Sequence, residues 1–124
     1  MAESTILVIE DNEQNIYLAT FLLESAGFKV IQARSGEEGL ALSRKTPPAL
    51  ILLDIQLPEM DGYEVVRLLK RQPETAEIAV VAVTSYAMAG DRESILAAGC
   101  QGYVEKPIDP DTFVATVTSF LNHR

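Results

Sequence analysis

Two runs in the middle of the chain, Ala49-Leu50-Ile51-Leu52-Leu53-Asp54 and Ile78-Ala79-Val80-Val81-Ala82-Val83-Thr84, are apolar almost without a break. A strand with one face in water alternates polar and apolar residues, whereas a strand covered on both faces does not need to. These runs are therefore expected at the centre of a sheet held between two layers of helix. Each ends in a residue able to do chemistry, a carboxylate in one and a hydroxyl in the other.

The rest of the chain supplies what such a sheet needs. Three further β-rich runs, Thr5 to Glu10, Phe28 to Ala33 and Gly102 to Glu105, make five strands, and each is followed by residues at helical spacing. After the first run, Ile16, Ala19, Leu22, Leu23 and Ala26 form one apolar stripe that Gly27 can cap. Ser35 with Glu38, and Asp61 with Glu64, have the spacing of capping boxes that open the second and third helices. The third continues through Val65, Leu68 and Leu69. The fourth carries Ile95 and Leu96 and ends near Gly99. Asp109 can cap the fifth, with Pro110 at the first helical position and Phe113, Val117, Phe120 and Leu121 facing inward. Strands alternating with helices imply a parallel sheet with right-handed crossovers. The expected fold is α/β, a doubly wound five-stranded parallel sheet. Composition alone does not choose the strand order 2-1-3-4-5, but the site does.

Composition limits what this fold can be used for. With 124 residues the chain has the size of one domain, residues 1–124, and its 48% apolar content suffices for a core. A formal net charge of -8 argues against electrostatic binding to nucleic acid or to an anionic membrane. Cys100 is the only cysteine, which rules out an internal disulfide and favours a reducing, cytoplasmic setting. The first residues lack the basic and apolar regions of a signal peptide, and no apolar run approaches the roughly 20 residues that span a bilayer. The single histidine, His123, is the penultimate residue, where a histidine-based triad or zinc site is not expected.

In open α/β sheets ligands bind beyond the carboxyl ends of the strands, where the winding reverses. In the order 2-1-3-4-5 this brings together Glu10 and Asp11 after strand one, Asp54 at the end of strand three, Thr84 at the end of strand four and Lys106 after strand five. Clustered carboxylates call for a cation or a proton, and magnesium prefers oxygen ligands with room for water and a phosphate oxygen. An aspartate can attack phosphorus to give an acyl phosphate, while a metal, an ammonium and a hydroxyl stabilise charge on the phosphoryl oxygens. Each residue also has a plainer role open to it. Asp11 or Asn12 could be only a helix cap, Asp54 a satisfied strand-end carboxylate, Thr84 a β-former and Lys106 a solvated charge. Tyr103 reads as a half-buried strand aromatic, Cys100 as a near-core residue, and Met60 and Met88 as packing groups. The joint placement at four strand ends favours chemistry.

These residues lie in the segments ILVIEDN, LILLDIQLPEMDGYE, VVAVTSYA and GYVEKPID, in that order. With them the chain resembles the receiver domain of bacterial response regulators over essentially its whole length. The resemblance implies a flavodoxin-like (βα)5 fold and a phosphorylation-dependent switch, not a turnover enzyme. It makes Asp54 the phosphoacceptor, Asp11 the main Mg2+ carboxylate, Glu10 its companion and the Gln56 carbonyl a further metal ligand. Thr84 and Lys106 would bind the phosphoryl group, Tyr103 would be the switch aromatic, and the Lys106–Pro107 peptide would be cis. The acidic pair is Glu10-Asp11 where many members have two aspartates, and metal binding is expected to survive this. Tyr86 and Gln56 flank the site and would tune hydrolysis. A histidine kinase or histidine phosphotransfer protein would donate the phosphoryl group. Output would pass to a protein target through the fourth helix, fifth strand and fifth helix, and a homodimer is compatible with this. Since the fifth helix runs almost to Arg124, no effector domain is expected. Among family members the chain looks most like stand-alone receivers that act on kinases or on polarity and cell-cycle partners.

Three other functions fit less well. Phosphatases of the haloacid-dehalogenase type place an acidic residue two positions after the nucleophile, where this chain has Gln56. A receiver-like module that binds partners without phosphorylation should have lost one of the acidic residues, the threonine or the lysine. A flavodoxin-type site needs a phosphate-binding loop after strand one, and Glu10-Asp11-Asn12-Glu13 would repel phosphate.

Overall fold

A computed structural model of the chain describes residues 4–85 and 89–121, with backbone only for residues 89 and 90. Strands and helices alternate five times: β1 (Thr5–Ile9), α1 (Glu13–Ser25), β2 (Lys29–Ala33), α2 (Gly36–Lys45), β3 (Leu50–Asp54), α3 (Gly62–Arg71), β4 (Ala79–Thr84), α4 (Ala89–Ala98), β5 (Gly102–Glu105) and α5 (Phe113–Leu121). All strand pairs are parallel and the sheet order is β2-β1-β3-β4-β5. Four strands begin or end one residue inside the spans expected from sequence, leaving Glu10, Phe28, Ala49 and Ile78 outside the ladder.

The uninterrupted apolar runs occupy the sheet interior. Every residue of β3 is buried, and its neighbours β1 and β4 are buried except at their first residues. Because successive side chains point to opposite faces, each strand feeds two cores. Leu7, Ile9, Ile51, Leu53, Val80 and Ala82 pack with α2, α3 and α4, through residues such as Val65, Leu69 and Ile95. Ile6, Val8, Leu50, Leu52, Val81 and Val83 pack with Ile16, Leu23, Phe113 and Val117 of α1 and α5. The chain moves from β1 outward to β2, then returns to place β3 on the other side of β1. The crevice that this reversal opens lies beyond the carboxyl ends of β1 and β3.

Helix ends fix the loops around that crevice. The Asn12 side chain accepts the Asn15 N–H at 3.0 Å, so Asn12 is the cap of α1 and Asp11 is left for other work. Ser35 Oγ accepts the Glu38 N–H at 3.1 Å as expected. Glu38 does not reach back to the cap; its Oε1 accepts the N–H of Arg34 at 2.7 Å. Asp61 caps α3 through the N–H of Tyr63 at 3.0 Å and not through a box with Glu64. Gly27 and Gly99, which follow α1 and α4, have φ of +97° and +118°, the left-handed backbone that ends a helix at low cost to glycine. Asp109 Oδ1 accepts the N–H of Asp111 at 2.9 Å, capping the turn that leads into α5 rather than its first residue. Of the apolar stripe on α1, Ala26 is exposed and Leu22 half-buried, and on α4 Leu96 is exposed while Ile95 is buried.

Candidate functional site

The strand ends bring the expected residues together. Asp54, the last residue of β3, is 2% exposed. Its Oδ1 accepts the N–H of Gln56 at 2.9 Å, which turns the chain and fixes the carboxylate plane. Its Oδ2 accepts a hydrogen bond from Lys106 Nζ at 3.1 Å. Lys106 Nζ also lies 3.6 Å from Glu10 Oε1. The Lys106 N–H donates to the Thr84 carbonyl at 2.8 Å, and the Lys106–Pro107 peptide is cis, as the family resemblance implies. Thr84, 2% exposed, ends β4 and pairs in register with Glu105, beside the β3–β4 pair Asp54 and Val83.

Glu10 and Asp11 complete an oxygen cluster. Carboxylate oxygens of Glu10, Asp11 and Asp54 all lie within 4.8 Å of one another, Glu10 and Asp54 buried and Asp11 exposed. Glu10 Oε2 accepts the Asn12 N–H at 3.1 Å. The Glu10 carboxyl is nevertheless pushed up to about 7, first by burial and then by the charge of Asp54 and a hydrogen bond to it; the Asn12 N–H and Lys106 oppose this without winning. A buried acid that resists ionisation beside a second carboxylate is the signature of a site short of positive charge. Three carboxylates, two of them held by backbone N–H groups, are the donor set of a hard divalent cation. The residues present fit Mg2+.

The other residues singled out from the sequence sit where it places them, as far as they are described. Tyr103 on β5 is half-buried, as expected, with the Arg92 guanidinium of α4 5.8 Å from its ring centre. Cys100 is buried in the core and its thiol is pushed up to about 12 by burial. Met60 is half-buried against the same core. Tyr86, Met88 and His123 lie outside the described residues.

The sequence of the whole chain can then be set beside known proteins. Residues 6–118 match the family model described as the response regulator receiver domain. The chain belongs to that family. It is 46% identical over 117 residues to the polar-differentiation response regulator DivK of Brucella ovis, covering 94% of this chain and 95% of DivK. The solved chemotaxis protein CheY4 of Vibrio cholerae is similar with a TM-score of 0.92 at 25% identity, covering 96% of this chain and 99% of that one. The receiver domain of sensor histidine kinase PA1611 from Pseudomonas aeruginosa, whose structure holds a magnesium ion in the active-site cleft, is similar with a TM-score of 0.88 at 29% identity, covering 97% and 98%. This receiver domain is thus a module of two-component signalling, its acidic cluster is consistent with a Mg2+ site, and no described helix is long and apolar enough to cross a membrane.

Two features of the receiver site were not legible in its motifs. The Gln56 side chain reaches across the crevice, its Oε1 accepting the Ser85 N–H at 3.2 Å and tying the loop after β3 to the loop after β4. Gly62 stands where a Cβ would come 2.5 Å from Ile55 Cα and 2.7 Å from Ile55 O, and its N–H donates to that carbonyl at 3.2 Å. Only glycine lets the start of α3 fold back on the residue after Asp54. The dipeptide Asp61-Gly62 carried the signal, as a capping residue followed by a helix-disfavouring one.

Proposed function

We propose that Asp54 accepts a phosphoryl group and that its phosphorylation drives a signalling switch. The observation that carries this reading is a buried carboxylate bonded to one ammonium, Lys106, inside a cluster otherwise acidic. In the proposed step an Asp54 oxygen attacks the phosphorus of a phosphohistidine on a histidine kinase or phosphotransfer protein. The phosphorus–nitrogen bond breaks, imidazole leaves and takes up a proton, and an acyl phosphate remains on Asp54. Lys106, released from its bond to Asp54 Oδ2, pairs with a phosphoryl oxygen, and the Thr84 hydroxyl donates to another. Glu10, Asp11, Asp54 and the Gln56 carbonyl would hold Mg2+. When bound, the ion supplies the positive charge that lets an anionic phosphoryl group enter an acidic cleft. The magnesium in the cleft of the PA1611 receiver supports this assignment. The step is self-directed transfer and not turnover on other substrates.

Output passes to a protein partner through α4, β5 and α5. A groove on this face is lined by Tyr103, Glu105, Pro107, Asp109, Thr112 and Thr116, so a rotamer change at Tyr103 would reshape it. Movement of Thr84 toward the phosphoryl group opens the space that Tyr103 fills. A cytoplasmic location is part of the same reading. The test is incubation with Mg2+ and acetyl phosphate, followed by intact mass. Wild type should gain one phosphoryl group that hydroxylamine removes, and Asp54→Asn should gain none. An equal gain in the variant would move the acceptor elsewhere, and no gain in either would make the chain a phosphorylation-independent binding module.

A further inference from the structure

We propose that the groove between α2 and α3 docks an acidic, leucine-anchored helical segment of a protein partner. This surface is separate from both the phosphoacceptor crevice and the α4–β5–α5 face. The chain carries ten Lys and Arg in a net charge of -8, yet five of the ten fall in the C-terminal halves of α2 and α3: Arg44, Lys45, Lys70 and Arg71 in the last turns and Arg67 one turn earlier. Lys70 is committed internally, donating to the Ile78 carbonyl at 2.8 Å and the Ala76 carbonyl at 3.4 Å. The other four are exposed and enter no salt bridge among the described residues.

Helix-end electrostatics accounts for some of this charge, because cations are favoured in a last turn. It does not account for the groove. Glu37, Leu40 and Arg44 line one wall of it from α2, and Leu68, Arg71 and Gln72 line the other, around a cleft of about 300 Å³ that is open to solvent. Leu40 and Leu68 are only half-buried, so the floor is apolar and the rim at one end carries two guanidinium groups. An apolar floor beside two planar cations matches leucine side chains and carboxylates on one occupant. Glu37, two helical turns from Arg44, repels acid at the opposite end and so sets the direction in which such a segment lies.

The test uses isotope-labelled protein and a short helical peptide of alternating leucine and glutamate pairs, with the lysine counterpart as control. The acidic peptide should shift amides in residues 36–46 and 67–73, the lysine peptide should not, and binding should weaken as salt rises. Arg44→Glu with Arg71→Glu should weaken binding at least about tenfold, and Arg44→Gln with Arg71→Gln less. Both pairs are surface changes, and unchanged circular dichroism shows that the fold is intact. The proposal is overturned if the acidic peptide produces no shift in these segments at millimolar concentration. It is also overturned if the lysine peptide binds equally well, or if the shifts fall on α4, β5 and α5. Self-association in sedimentation that Arg44→Glu with Arg71→Glu abolishes would assign the groove to a second copy of the chain and overturn it too. None of these outcomes depends on Asp54, and Asp54→Asn should bind the peptide as wild type does.

Discussion

If the acidic cluster holds Mg2+ as proposed, Glu10 would make that binding a proton-coupled event near neutral pH. Its carboxyl is raised to about 7 by burial and by Asp54, and the ion requires the ionised form. With a midpoint near 7, roughly one molecule in eleven has Glu10 ionised at pH 6 and about ten in eleven at pH 8. The apparent Mg2+ affinity should therefore rise about tenfold between pH 6 and pH 8, or about 1.4 kcal/mol. Isothermal titration at pH 7 in two buffers of different ionisation enthalpy should register about half a proton released per ion bound. Glu10→Gln should bind more weakly through Asp11 and Asp54 and lose the pH slope. A wild-type affinity flat from pH 6 to 8, or a slope preserved in Glu10→Gln, would refute the argument.

Four further outcomes follow from the same geometry. Without Mg2+, a Glu10 carboxyl raised in the folded state stabilises the protein fully below pH 4.5 and loses that contribution as pH rises through about 7; the loss is at most about 3 kcal/mol, should appear as a falling Tm, and should be reversed by millimolar Mg2+. Lys106→Ala should bind Mg2+ at least as tightly as wild type, since a cation leaves the cluster, yet fail to transmit the beryllofluoride-induced change to the output face, with partner pull-down and amide shifts as the two readouts. Gly62→Ala should cost about 1–3 kcal/mol in urea unfolding, because its Cβ meets the Ile55 backbone, which cannot step aside as a side chain could. In beryllofluoride titrations, amide shifts from residue 89 to 98 and around Tyr103 should shrink in Thr84→Ala; shifts confined to the loops at Asp11, Asp54 and Lys106 would mean that Tyr103 packs statically.

How far the sequence revealed this molecule depended on the range of the interaction in question. Burial on both faces of β3 and β4 leaves a local trace, an unbroken apolar run, so those strands and their place at the sheet centre could be read directly. The site was readable because its residues sit at strand ends, and strand ends are marked by the switch from β-rich to helical pattern. Which of Asp11 and Asn12 caps α1 was not readable, because both types cap equally well; the bond from Asn15 N–H to Asn12 decides it. The absent capping boxes at Ser35 and Asp61 have the same origin. A glutamate three residues on can reach the cap, but Glu38 finds Arg34 N–H, a partner that only the loop geometry supplies.

The individual bonds across the crevice, of which the sequence indicated only the meeting of Lys106 with Asp54, would bear on how a signal leaves it. Gln56 joins the loop after Asp54 to the loop after Thr84 through Ser85 N–H, and Lys106 joins Asp54 to the strand that carries Tyr103. Both links are single hydrogen bonds in the resting protein, each typically worth about 0.5–3 kcal/mol net. Couplings between sites in switching proteins are of that same size, about 1–3 kcal/mol. If Asp54 is phosphorylated as proposed, exchanging the Lys106–Asp54 bond for a Lys106–phosphoryl bond would bias β4 and β5 without having to break either hydrophobic core. In that switch those cores, built from alternate residues of the same strands, would stay fixed while the strand ends move. The switch is thus expected to shift a population between nearby states, because a ligand changes such an equilibrium only by its difference in affinity for the two. Arg92, lying over the Tyr103 ring, makes a contact that a rotamer change at Tyr103 in the proposed switch would have to outcompete.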